Sequence, residues 1–200
     1  MLRRQPLPRL WLMTDERQGE GLWEALERLP KGSGVVFRHY GLGAAERRRL
    51  FDRVRRLARR RRLLLLAGAG LQGDGAHGGR GRGFRSASAH DLRELKAAER
   101  SGAKLVFLSP AFPTRSHPGA RPLGPVRFGL IARQARVPVI ALGGVDGRKA
   151  RRLPHIYGWA GIDAWSRRPN PSFRRRPESM NTAGRALTAR AFMDPGSSPG

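Results

Sequence analysis

Short apolar runs alternate with amphipathic stretches along most of the chain, and the alternation predicts strands joined by helices. "RLWLMTDE" (9–16) reads as a strand followed by the helix "LWEALERL", and "GVVFRHY" (34–40) as a strand followed by "AAERRRLFDRVRRLARRRR". In that second helix Leu50, Phe51, Val54, Leu57 and Ala58 fall at helical spacing while arginines fill the other positions, so the arginine run reads as a solvated helix face. Further strands are expected in "RLLLLAG", "DGAHGG", "FRSASAH", "AKLVFLSP", "VPVIALGG" and "AGIDAWS". Helices are expected in "DLRELKAAERSG", "PVRFGLIARQAR" and, in shorter form, near "DGRKARRLPHIYG".

Strands joined by helical crossovers pair in parallel and right-handedly, and eight of them close into a TIM (β/α)8 barrel of the α/β class. Such a barrel carries its chemistry at the carboxyl ends of the strands. "AGLQG" and "RGRG" are too short for helices after the third and fourth strands, and a helix after the eighth is also missing from the pattern. From about Ser166 onward the chain is rich in Arg, Pro, Ser and Gly without sustained periodicity. The expected organisation is a barrel domain over 1–166 and a disordered tail over 167–200.

Composition changes this picture in one respect. Lys and Arg number 40 against 15 Asp and Glu, a net charge of +25, and only Lys31, Lys96, Lys104 and Lys149 are lysines. A field of this sign attracts polyanions. The arginines are spread along the chain without interleaved aromatics, and no helix-turn-helix, zinc or RNA-binding signature is present, which argues against a sequence-specific nucleic-acid partner. The chain has no cysteine and no apolar run long enough to span a bilayer, and its first residues lack a signal-peptide core; a cytoplasmic protein without a membrane partner is expected. His77 and His90 lie near strand ends, but the histidines form no ligand-spaced cluster, so no histidine metal site is expected.

The chemistry-bearing residues gather at the predicted strand ends. "SAHDLRELKAAERSGAKLVFLSPAFPTRSHPGARPLG" opens on Ser-Ala-His and runs through a strand into a loop of prolines, hydroxyls and a histidine; "VPVIALGGV" ends a strand on a glycine pair. Taken singly, Pro110 and Pro113 can fix a turn, Thr114 and Ser116 can cap loop backbone, and Gly143 with Gly144 can end a strand. In their shared order these motifs resemble the thiamine phosphate synthase family, which shares its barrel with the thiazole tautomerases. The likeness covers roughly residues 10–166.

The resemblance implies a transferase that joins a hydroxymethylpyrimidine diphosphate to a thiazole phosphate with loss of pyrophosphate, and hence phosphorylated small molecules as partners. It implies that Arg38 faces the diphosphate and Ser88 hydrogen-bonds it. Thr114 and Ser116 match the hydroxyls that hold the thiazole phosphate. His117 stands where the family has a substrate-binding lysine, Gly143 and Gly144 match a phosphate-approaching turn, and Ser166, beside Trp165, falls at the eighth-strand phosphate site. The family also implies magnesium, yet Ala67 and Gly68 stand where its Asn-Asp pair would be and Arg82 where a further aspartate would be, so no metal-binding residue is expected. Arg82, with Arg38, is the candidate to neutralise charge instead. Pro110 occupies the position of the tautomerases' histidine. A non-catalytic barrel that binds phosphorylated ligands is the alternative, a basic nucleic-acid-binding protein the second, and the oligomeric state is left open.

Overall fold

A computed structural model describes residues 6–68, 70–79, 83–114, 119 and 121–165. Eight parallel strands close on themselves in sequence order: β1 (Leu10–Met13), β2 (Gly34–Phe37), β3 (Leu64–Ala67), β4 (Gly75–His77), β5 (Arg85–Ala89), β6 (Leu105–Leu108), β7 (Val139–Ala141) and β8 (Gly158–Gly161), which pairs back onto β1. Five helices cross between them: α1 (Gly21–Arg28), α2 (Ala44–Arg61), α3 (Leu92–Arg100), α4 (Gly124–Ala132) and α5 (Gly147–Ala150). Among the described residues no helix lies between β3 and β4 or between β4 and β5, as the short connections require. After β8 only a 3-10 turn, Asp163–Trp165, is described.

Strand alternation sorts the side chains into two sets. Trp11, Met13, Val36, Leu66, Leu105, Phe107, Ile140 and Ala160 fill the barrel interior as one buried cluster, with Trp11 and Phe107 meeting edge to face at 5.3 Å. The alternate residues Leu12, Val35, Phe37, Leu65 and Ala67 pack outward against α1 and α2, and Ala89, Val106, Leu108 and Val139 do the same toward α3 and α4. In α2 the predicted stripe is the buried one: Phe51, Val54 and Ala58 are buried, with Leu50 and Leu57 packed beside them. The arginine face is solvated, and its pairs Arg55 to Asp52 and Arg60 to Glu27 are surface ion pairs of small energetic weight.

The eighth strand departs from expectation. It starts at Gly158 rather than within "AGIDAWS" and ends at Gly161. A Cβ on Gly158 would lie 2.0 Å from the Arg9 carbonyl oxygen, so this glycine permits close approach of the chain entering the first strand. Trp165 is drawn into packing here: its ring stacks on Trp159 at 5.1 Å and its indole N–H donates to the Trp11 carbonyl at 3.1 Å. The pair joins the last strand to the turn after it, where a full barrel would carry a helix.

Candidate functional site

Arg38 lies just past the end of β2, two residues beyond inward-facing Val36, so alternation aims its side chain into the barrel mouth. Its backbone is fixed by Thr14, a fully buried hydroxyl at the end of β1 that accepts the Arg38 N–H at 2.9 Å. Thr14 Oγ1 also hydrogen-bonds His39 Nδ1 at 3.1 Å. Burial lowers the His39 pKa, which favours the neutral ring. His39 stacks on Phe37, and Phe37 meets Phe51 of α2, so both flanks of Arg38 are held in the outer packing.

Across the mouth, β4 and β5 pair with His77 opposite Ser86, and β5 pairs with β6 so that Ser88 stands beside inward-facing Phe107. This brings three polar side chains into line. His77 Nδ1 lies 2.9 Å from Ser86 Oγ, His77 Nε2 lies 3.4 Å from Ser88 Oγ, and the His77 ring meets the edge of Phe107 at 5.5 Å. Burial, and then the positive charge of Arg38, push the His77 pKa down to about 4, so the ring is neutral at ordinary pH. Arg38 and His77 therefore share one electrostatic environment. Ser88 is the exposed member of this set and faces solvent at the mouth.

The loop after β6 is laced to the end of β7: the Ala111 N–H donates to the Leu142 carbonyl at 2.8 Å and the Phe112 N–H to the Gly143 carbonyl at 3.0 Å. His90 braces the same loop, with Nδ1 donating to the Ser109 carbonyl at 2.9 Å. Gly143 and Gly144 both have positive φ, +85° and +62°, and a Cβ on Gly144 would lie 2.3 Å from the Pro113 carbonyl oxygen. Only glycine fits such a turn, and neither amide makes a hydrogen bond to another described residue. Lys149 from α5 donates to the Gly144 carbonyl at 2.9 Å and lies over the Phe112 ring, which sets a positive charge beside the turn. Two backbone N–H groups unpaired among the described residues, with a cation beside them, are a chemistry suited to phosphate.

Of the residues singled out from sequence, the structure thus brings Arg38 and Ser88 to the mouth, with Gly143 and Gly144 at the end of β7. Thr114 is half-buried in the β6 loop. Arg82, Ser116, His117 and Ser166 lie outside the described residues, as does the proposed tail. Lys149, His77 and Thr14 are additions. His77 was visible as a strand-end histidine, whereas nothing local marks the other two.

The described residues at the positions implied to hold magnesium do not fit it. Ala67 is packed outward in the core beneath α2, and Gly68 has no side chain and lies against the Tyr40 ring. Among the described residues no three carboxylates, histidines or cysteines come together. A hard cation that needs several oxygen ligands finds no donor set at these positions.

A family model for thiamine monophosphate synthase matches residues 86–164, from β5 to the turn after β8. The "Putative thiamine-phosphate synthase 2" of Aquifex aeolicus (strain VF5) is 34% identical over 182 aligned residues, covering 78% of this chain and 96% of that protein. The chain belongs to the thiamine-phosphate synthase family. A thiamine-phosphate synthase of Chlorobium luteolum (strain DSM 273 / BCRC 81028 / 2530) is 40% identical over 68 residues, 34% of this chain and 32% of that one. The solved thiamine phosphate pyrophosphorylase of Pyrococcus furiosus superposes with a TM-score of 0.63 at 24% identity, over 79% of this chain and 86% of that one, which supports the family's barrel fold. No described helix of this family member is long and apolar enough to cross a membrane.

Proposed function

We propose that the chain performs thiamine phosphate synthase chemistry at the carboxyl end of its barrel, joining a hydroxymethylpyrimidine diphosphate to a thiazole phosphate. The carbon–oxygen bond between the pyrimidine methylene and the diphosphate breaks, with the electron pair leaving on the diphosphate oxygen. The thiazole nitrogen lone pair then forms the new carbon–nitrogen bond, so no proton transfer is needed for the exchange. Catalysis on this route rests on holding the two partners in line and neutralising the leaving charge.

The observation that carries the reading is the 34% identity across nearly the whole length of the Aquifex relative. The geometry agrees with it. Arg38, whose backbone N–H is held by Thr14 at 2.9 Å, offers a guanidinium to the diphosphate, in the bidentate manner that phosphate oxygens accept. The Gly143–Gly144 turn with Lys149, together with Thr114 and Ser116, would hold the thiazole phosphate. Arg82 adds a permanent charge where the family places a carboxylate, His117 replaces a substrate-binding lysine, and Ser166 completes the phosphate contacts. Arginine then takes over part of the charge neutralisation for which the described residues offer no metal-ligand cluster.

The test is complementation. Residues 1–200 expressed in a bacterial host that lacks its own synthase should restore growth without thiamine, and Arg38→Ala should abolish it. No growth from a chain shown to be present and folded would overturn the proposal and favour a barrel that only binds phosphorylated ligands.

A further inference from the structure

The line of side chains at the β4–β5 seam has a direction. Ser86 Oγ lies 3.4 Å from the Ala76 carbonyl oxygen, which can only accept, so the Ser86 proton points there. Ser86 Oγ then accepts from His77 Nδ1 at 2.9 Å. A neutral imidazole has one ring proton, and with that proton on Nδ1 the other nitrogen, Nε2, is bare and accepts the Ser88 hydroxyl proton at 3.4 Å. Run the other way, Ser86 spends its proton on Nδ1 and the Ala76 carbonyl gets none, so two bonds form instead of three. Ser86 is 1% exposed, and solvent has little room to repair the loss.

We propose that His77 and Ser86 are positioning residues that turn the Ser88 hydroxyl inward, so that Ser88 meets the ligand as a hydrogen-bond acceptor and takes an N–H donor, the exocyclic amine of an amino-substituted ring. The assignment of the ring to this mouth rests on the proposed function. It departs from the role that the family resemblance gives Ser88, because a phosphate oxygen is itself an acceptor and cannot pair with a hydroxyl whose proton is already committed. Phosphate is left to Arg38 and to the glycine turn. The division of labour is then one of hydrogen-bond polarity: donors gather at Arg38, Gly143, Gly144 and Lys149, and an acceptor stands at Ser88. The depressed His77 pKa agrees with this arrangement, since a doubly protonated ring would reverse the bond to Ser88.

Two measurements test it. Nitrogen-15 spectra of the whole chain labelled at histidine, with His77 assigned by its absence in His77→Gln, should show the ring proton on Nδ1 and a bare Nε2 at neutral pH. A proton on Nε2 would overturn the direction of the chain whatever the protein's function. Calorimetry with two probes, 4-amino-5-hydroxymethyl-2-methylpyrimidine and inorganic pyrophosphate, tests the ligand half. Ser88→Ala should weaken the amine on the order of 10-fold and leave pyrophosphate within about twofold. His77→Gln, whose carboxamide can donate to Ser88 and release its proton toward the mouth, should weaken the amine while leaving pyrophosphate equal or tighter. Loss of pyrophosphate with retention of the amine would overturn the assignment. Binding of neither probe by the wild-type chain would sink the proposed function and the ligand half together, while the ring spectrum still decides the direction of the bonds.

Discussion

Thr14→Val removes one hydroxyl from a side chain that is fully buried and replaces it with a methyl of nearly equal volume, so it opens no cavity. Two bonds are lost, the Arg38 N–H at 2.9 Å and the His39 Nδ1 at 3.1 Å. A buried N–H left without an acceptor costs about 1–3 kcal/mol, and the deprived ring nitrogen adds a bond of about 1 kcal/mol. The new methyl returns on the order of 0.8 kcal/mol by burial. The net loss is about 2 kcal/mol, which for a domain of this size lowers the melting temperature by about 4–8 °C. Thermal unfolding by circular dichroism reads this directly. Thr14→Ser, which keeps the hydroxyl, should recover most of the loss. Pyrophosphate affinity should fall in the valine variant alone, because the backbone under Arg38 is no longer pinned. A valine variant melting within about 1 °C of wild type, or a serine variant as unstable as the valine one, would refute the role given to the hydroxyl.

Other expectations follow from single positions. Gly144→Ala puts a Cβ 2.3 Å from the Pro113 carbonyl oxygen at φ +62°, so the β6 loop must shift; melting should drop by several degrees and phosphate binding should weaken, and unchanged binding would remove the turn from the site. His77 binds protons more weakly folded than unfolded, with its pKa lowered from 6.5 to about 4. Its contribution is therefore undiminished above about pH 6.5 and is lost progressively as the pH falls toward 4, because the unfolded chain takes up the proton first. The full span is about 3 kcal/mol, and stability curves of wild type and His77→Gln that stay parallel from pH 7 to pH 4 would contradict the buried neutral ring. Arg82→Ala should lower turnover by a factor on the order of 100, the scale of one lost preorganised donor, and full activity would show that Arg38 suffices without it.

The barrel was legible because its cause is local. Apolar runs such as Leu105–Leu108 and the stripe Phe51, Val54, Ala58 announce which side is buried, and the parity of a strand carries that information to its end, which is how Arg38 and Ser88 point inward. The start of β8 at Gly158 was not legible because its requirement comes from the Arg9 backbone, far away in sequence. The same holds for what supports the site. Thr14 meets Arg38 only because β1 and β2 are paired in one register, and His77 meets Ser86 and Ser88 only because β4 pairs with β5. "DGAHGG" reads as a strand, but the partners of its histidine are not visible until that pairing is known. Lys149 is one basic residue among forty in the sequence, and its place beside Gly144 follows from the fold alone.

The central proposal is that this mouth, whose described residues form no magnesium-ligand cluster, joins the two substrates. Purified chain supplied with hydroxymethylpyrimidine diphosphate and thiazole phosphate, with and without a chelator, tests it most directly through the amounts of thiamine phosphate and pyrophosphate formed. The account predicts equal amounts of the two products, a rate changed less than about twofold by chelation, and a fall on the order of 100-fold in Arg38→Ala. No thiamine phosphate from a folded chain, or activity that vanishes on chelation and is indifferent to Arg38, would contradict it.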